Sequence, residues 1–202
     1  MAPTHLGLLA LDPSLSATSR LGPLSGRATA RGREVAALLV TGAAAGLLTT
    51  FVDFRLGLPG HHILFVVFPL ALGFALVPRR TAGTVMGASA VATVAGLGAA
   101  GAHLPGPGAL AGIALVGPLL DLALRWGGAG WRLYGAFVVA GAATNVLAFL
   151  VRATTKYVGM GGTGGGRSFA TWLPVAVWTY ALAGVLAGLL SAAAWFHFRS
   201  RE

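Results

Sequence analysis

Residues 81–102 read TAGTVMGASAVATVAGLGAAGA, a stretch with no charged residue and no side chain bulkier than methionine. At about 1.5 Å per residue it is long enough to cross the roughly 30 Å hydrocarbon core of a bilayer. Arg79 and Arg80 stand immediately before it, and the connection that follows, GAHLPGPG, carries no Lys or Arg. The same unit recurs outward in both directions. Apolar spans are expected at 35–54, 62–78, 82–102, 107–124, 132–151 and 173–196. The expected fold class is therefore all-α, a polytopic membrane protein built as a six-transmembrane-helix bundle.

Cations collect on the cytoplasmic side of a membrane protein. Arg20, Arg27, Arg31 and Arg33 precede the first span, Arg79/Arg80 follow the second, Arg125/Arg132 flank the fourth connection and Arg199/Arg201 end the chain. The other connections hold Arg55, then none, then Arg152, Lys156 and Arg167. With both termini in the cytoplasm, ten cations lie inside and four outside, which predicts an N-in, C-in chain. Residues 1–33, rich in Ser, Pro, Gly and Arg, are expected to form a disordered cytoplasmic tail, and 34–198 the transmembrane domain.

The chain is 56% hydrophobic and 9% charged, against about 25% charged for a soluble domain, which excludes that class. The net charge of +9 resides at span ends rather than in an aromatic-interleaved block, so no nucleic-acid partner is expected. With no cysteine there is no disulfide framework and no thiolate chemistry. Arg outnumbers Lys 13 to 1 in an Ala/Gly-rich chain, a composition that points to a high-GC bacterium and so to its inner (plasma) membrane.

Small residues let helices approach closely in lipid. Gly42 and Gly46 bracket the run GAAAG in the first span, and Gly83/Gly87, Gly108/Gly112 and Gly184/Gly188 repeat the spacing. The third span, with few large side chains, is expected to lie buried among several neighbours. Trp126, Trp131, Trp172 and Trp195 fall near span ends, as an interfacial belt would place them.

Orientation sorts the polar residues. Asp53 lies at the outer end of the first span, His61 and His62 open the second, Asn145 lies about 10 Å deep in the fifth, and Trp178 and Tyr180 sit at similar depth in the sixth. Polar groups at such depth face a cavity or one another. These residues are expected to form an outward ligand-binding cluster, served by Lys156 and Arg167 in the Gly-rich connection RATTKYVGMGGTGGGRSFATW, which reads as a lid attractive to anions. Asp121, four residues before Arg125, is expected to form an i,i+4 ion pair at the opposite end. His103 is expected to be solvated.

Three patterns mislead. GGTGGGRS at 161–168 imitates a phosphate loop but joins two membrane helices without a preceding strand. GASA at 87–90 lacks the last glycine of the GxSG of rhomboid proteases, and no histidine lies at mid-bilayer to serve Ser89. Asp53, His61 and His62 have the residue types of a metal triad, but adjacent helical histidines diverge by about 100°. No catalytic residue, metal or cofactor is expected.

Six spans, both ends inside, a small-residue first helix and an outer polar cluster make residues 34–198 resemble the substrate-binding S component of energy-coupling factor transporters. The resemblance implies a non-enzymatic subunit that captures a vitamin, cofactor precursor or metal ion under loops matching 53–62 and 153–171. It further implies docking on a membrane coupling subunit through the first helix, where Ala37-xxx-Thr41-xxx-Ala45 and Gly42-xxx-Gly46 stand, and transport driven by two ABC-type ATPases. The rival reading is a membrane scaffold that packs on partners through the same Gly/Ala faces.

Overall fold

The computed structural model describes residues 32–52, 60–77, 79–127, 130–159 and 169–199, the side chains of 197–199 excepted. Six helices account for almost all of them: α1 (Gly32–Phe51), α2 (His62–Leu76), α3 (Ala82–Ala99), α4 (Pro107–Trp126), α5 (Trp131–Tyr157) and α6 (Phe169–Arg199). No strand occurs among the described residues. The expected tail 1–33 lies outside them save for Gly32 and Arg33, which already belong to α1.

Local chemistry sets the helix ends. Pro107 occupies the first turn of α4, where its missing N–H costs nothing. At the end of α3, Gly101 takes φ +89°, the Ala102 amide donates to Leu97 O at 2.9 Å and the Gly101 amide to Gly98 O at 3.0 Å. This is a Schellman stop, and it ends the helix three residues before the apolar stretch ends.

Five of the helices are long and apolar enough to cross a membrane; α2, with 15 residues, is shorter. At about 1.5 Å per residue α2 reaches roughly 22 Å, less than the hydrocarbon thickness. The helices close into a ring in the order α1, α3, α4, α5, α6, α2, and α2 also touches α3 and α4. The shortest helix is thus the most enclosed, burying Ile63, Val66, Val67, Leu70 and Phe74.

Apolar side chains face outward as well as inward. Leu39, Val40 and Phe51 on α1, Phe68 on α2, Val139 and Leu150 on α5, and Leu182 and Leu190 on α6 are exposed. A soluble monomer seldom carries so continuous an apolar surface, whereas lipid solvates it at no cost. This is the profile of a multi-pass membrane protein.

Glycine lets the ring close. A methyl group at Gly42 would lie 2.7 Å from Ser89 Cβ, and one at Gly46 would lie 2.8 Å from Ala90 O, so α1 meets α3 backbone to backbone. Ala45 is fully buried in the same contact and Ala37 packs against the core. Ser89 Oγ donates to Leu39 O at 2.7 Å across this seam, which gives that serine a structural partner. Gly83 meets Gly117 between α3 and α4, and Gly141 meets Gly184 and Gly188 between α5 and α6. The small residues of α1 are therefore engaged within the chain. Against expectation, α3 is buried on one side only: Ala88, Val91, Ala92 and Ala95 are exposed.

Two polar contacts tie the end of the bundle where α1 begins. Glu34 accepts from Arg79, joining α1 to the α2–α3 connection. Asp121 feels the Arg125 charge as expected, but its main partners lie on another helix. It is 3% exposed, and its carboxylate accepts from Gly83 N at 2.8 Å, Thr84 N at 2.7 Å and Thr84 Oγ1 at 2.6 Å. Thr81, the N-cap residue of α3, makes no side-chain cap. A residue of α4 thus performs that task for α3, satisfying two amides that lipid would leave bare. Arg125 is exposed.

Of the four tryptophans assigned to an interfacial belt, Trp126 and Trp131 are exposed as required. Trp195 and Trp172 are buried instead. Trp195 packs against Phe74 and Phe137, with ring centroids 6.5 and 6.4 Å away.

Candidate functional site

At the opposite end, where α2 begins, the helices leave a cavity. Thr49 of α1, Gly60 and His62 at the start of α2, Gly108 of α4, Asn145 and Arg152 of α5 and Tyr180 of α6 contribute to its wall. Its volume is about 20 Å³, on a scale where one water needs about 10–15 Å³.

Asn145 organises this end. It is 3% exposed, and its Nδ2 donates to Tyr180 O at 2.7 Å and to Gly60 O at 3.2 Å. One side chain thus joins α5, α6 and the turn into α2. Gly60 must be glycine on two counts: its φ is +87°, and a Cβ there would lie 2.8 Å from the Tyr180 ring. Tyr180 is 4% exposed; its ring centroid is 5.5 Å from that of Phe149, and the Arg152 guanidinium lies beside its hydroxyl.

His61 and His62 stack with centroids 4.3 Å apart, and His61 meets the edge of Phe65 at 6.1 Å. Only His62 of the two lines the cavity. Among the described residues no group of three metal-ligating side chains assembles. Asp53 and Arg167 lie outside the described residues.

Two expected members stand elsewhere. Trp178 is 71% exposed on the outer face of α6. Trp172, Ala176, Tyr180 and Gly184 follow one another at helical spacing on the buried face, and Trp178, two residues from both Ala176 and Tyr180, points the opposite way at 100° per residue. Lys156 does not line the cavity; its ammonium sits 4.8 Å above the Trp172 ring. That tryptophan belongs to an aromatic group with Phe149, 5.9 Å away, and Phe169, 6.0 Å away. Conversely, Arg152, which the sequence groups with the cations of the anion-attracting connection, stands in the wall itself. The glycine spacing on α6 was the signal that would have chosen Trp172 over Trp178.

The site is thus a narrow recess between helices, its wall mostly apolar (Ile63, Val66, Ile113 and Ala148 among others), with one guanidinium, a phenol, an imidazole and a fixed amide set into it. His103 is exposed, as expected. Comparison of the chain with protein-family models, curated proteins and solved structures finds no match.

Proposed function

We propose that this chain is the substrate-capture subunit of a membrane importer, crossing the bilayer six times with both termini in the cytoplasm and receiving a small molecule from outside at the α2 end. The observation that carries this reading is Asn145. A buried amide deep in a membrane helix is costly where leucine would pack as well, and such residues line binding paths. Here it braces three segments directly against a largely apolar recess into which a few polar groups project. The Arg/Lys asymmetry supports the orientation, and α2, the shorter apolar helix, is shielded by its neighbours. The chain performs no chemistry itself. Transport would be driven by a membrane coupling subunit and ABC-type ATPases, as in the energy-coupling factor systems whose S components it resembles.

A scaffold that docks partners through glycine faces is the weaker reading, because Gly42, Gly46, Gly141, Gly184 and Gly188 are filled by the chain's own helices. The test is thermal unfolding of the purified full chain in detergent against a panel of vitamins, cofactor precursors and metal ions. A ligand at a hundredfold excess over its Kd stabilises by about 2.7 kcal/mol, a readily seen rise in Tm. Asn145→Ala should weaken that response at least tenfold. No response across the panel, or one indifferent to Asn145, would sink the proposal.

A further inference from the structure

The geometry points to an oxyanion, a carboxylate or phosphate group held by Arg152, as the chemical class this recess takes. The inference rests on the capture reading above and narrows it. Arg152 is the one formally charged side chain in the described wall, and no carboxylate accompanies it. The described carboxylates, Glu34 and Asp121, lie at the far end of the bundle, engaged by Arg79 and by the first turn of α3. The positive charge at the recess is therefore not neutralised by any described residue.

Arg152 is also oriented. A methyl group at Gly108 would lie 2.9 Å from Arg152 Cβ, so α4 presses directly on the base of the side chain. Its guanidinium stands beside the Tyr180 hydroxyl, whose ring is buried. A guanidinium carries five N–H donors and a phenol oxygen accepts one or two. Donors therefore remain, in the planar arrangement that matches a carboxylate or phosphate. Asn145 spends both amide hydrogens on backbone carbonyls, so it positions the wall and leaves the gripping to Arg152.

A cationic ligand fits less well. Trp172 offers an aromatic face, but the chain's own Lys156 already covers it at 4.8 Å. With about 20 Å³ inside, the recess admits an oxygen or two of an anionic head while the body of the ligand rests at the mouth.

Oxyanions reach such a site as free solutes or as lipid headgroups, and the test separates them. The full chain is studied in neutral detergent at constant ionic strength with succinate, with inorganic phosphate and with neutral succinamide. It is then studied in nanodiscs of phosphatidylcholine with and without phosphatidylglycerol. Saturable stabilisation by an acid but not by succinamide is expected, at least tenfold weaker in Arg152→Gln and partly restored in Arg152→Lys. A response to phosphatidylglycerol alone, lost in Arg152→Gln, keeps the oxyanion site and assigns it to lipid, which would overturn the capture reading. Indifference to every anion overturns the inference, and so does a response that Arg152→Gln leaves unchanged. If a neutral or cationic compound binds with dependence on Asn145 but not on Arg152, capture stands and the oxyanion class falls. Should Arg152→Gln not fold, the comparison of succinate with succinamide on the unaltered chain decides the matter.

Discussion

Asn145 and Tyr180 are joined side chain to backbone: the Asn145 amide donates 2.7 Å to the Tyr180 carbonyl within α6, and the same nitrogen reaches Gly60 O at 3.2 Å. Hydrogen bonds between membrane helices contribute about 0.6 kcal/mol on average and up to about 1.7. Asn145→Ala should therefore destabilise the bundle by about 1–2 kcal/mol in reversible unfolding. Asn145→Asp should cost more, because an ionised carboxylate cannot donate and would face two carbonyl oxygens. Equal effects of the two changes would show that the bonds to Gly60 and Tyr180 are not what Asn145 contributes.

Asp121 has a comparable part at the other end. Asp121→Ala strips three donors of their acceptor at a buried site and should cost about 2–3 kcal/mol, a lost cap plus unsatisfied amides. Asp121→Asn keeps one acceptor oxygen and should lose roughly half as much. Neutralising Arg125 should have little effect, since the Asp121 carboxylate is occupied by α3.

The two tryptophans of α6 offer a sharp contrast. Trp172, buried among aromatics and capped by Lys156, should cost about 3 kcal/mol when changed to Ala, and Lys156→Gln about 0.5–1 kcal/mol. Trp178→Leu should change stability by less than about 0.5 kcal/mol and leave ligand binding untouched. A binding defect in Trp178→Leu would contradict the orientation of α6.

Glycines on seams and glycines in lipid should respond with opposite sign. Gly42→Ala forces a methyl to 2.7 Å from Ser89 Cβ and should destabilise by about 1–3 kcal/mol. Gly96→Ala meets nothing within 4 Å and should be neutral or stabilising by up to about 1 kcal/mol. Parallel unfolding curves of the two variants provide the comparison.

The chain has no cysteine, so single cysteines report topology cleanly. Cysteines at His103 and Val158, both exposed at the cavity end, should react with an impermeant maleimide in intact cells. Cysteines at Arg80 and Arg132 should react only after permeabilisation. The inverse pattern would turn the cavity toward the cytoplasm and remove outward capture.

How far the sequence led depends on direction. Position along a helix axis was readable, because charge and apolar length fix depth: Asn145, Tyr180, His62 and Arg152 do come together at one end. Position around the axis was not. In water an apolar stripe marks the buried face, but lipid accepts apolar groups all round, so α6 shows no polar side to betray its phase. Trp178 and Tyr180 share a depth and face opposite ways for that reason. Asp121 misled differently: Arg125 was near in sequence, whereas the donors that hold Asp121 belong to another helix and are invisible to spacing rules.

The bond from Asp121 to the first turn of α3 also bears on how the chain is made. During synthesis α3 emerges well before residue 121, and until then its leading amides lack the acceptor that completes them. The cap of the third helix is thus a long-range contact, complete only once the fourth helix stands beside it.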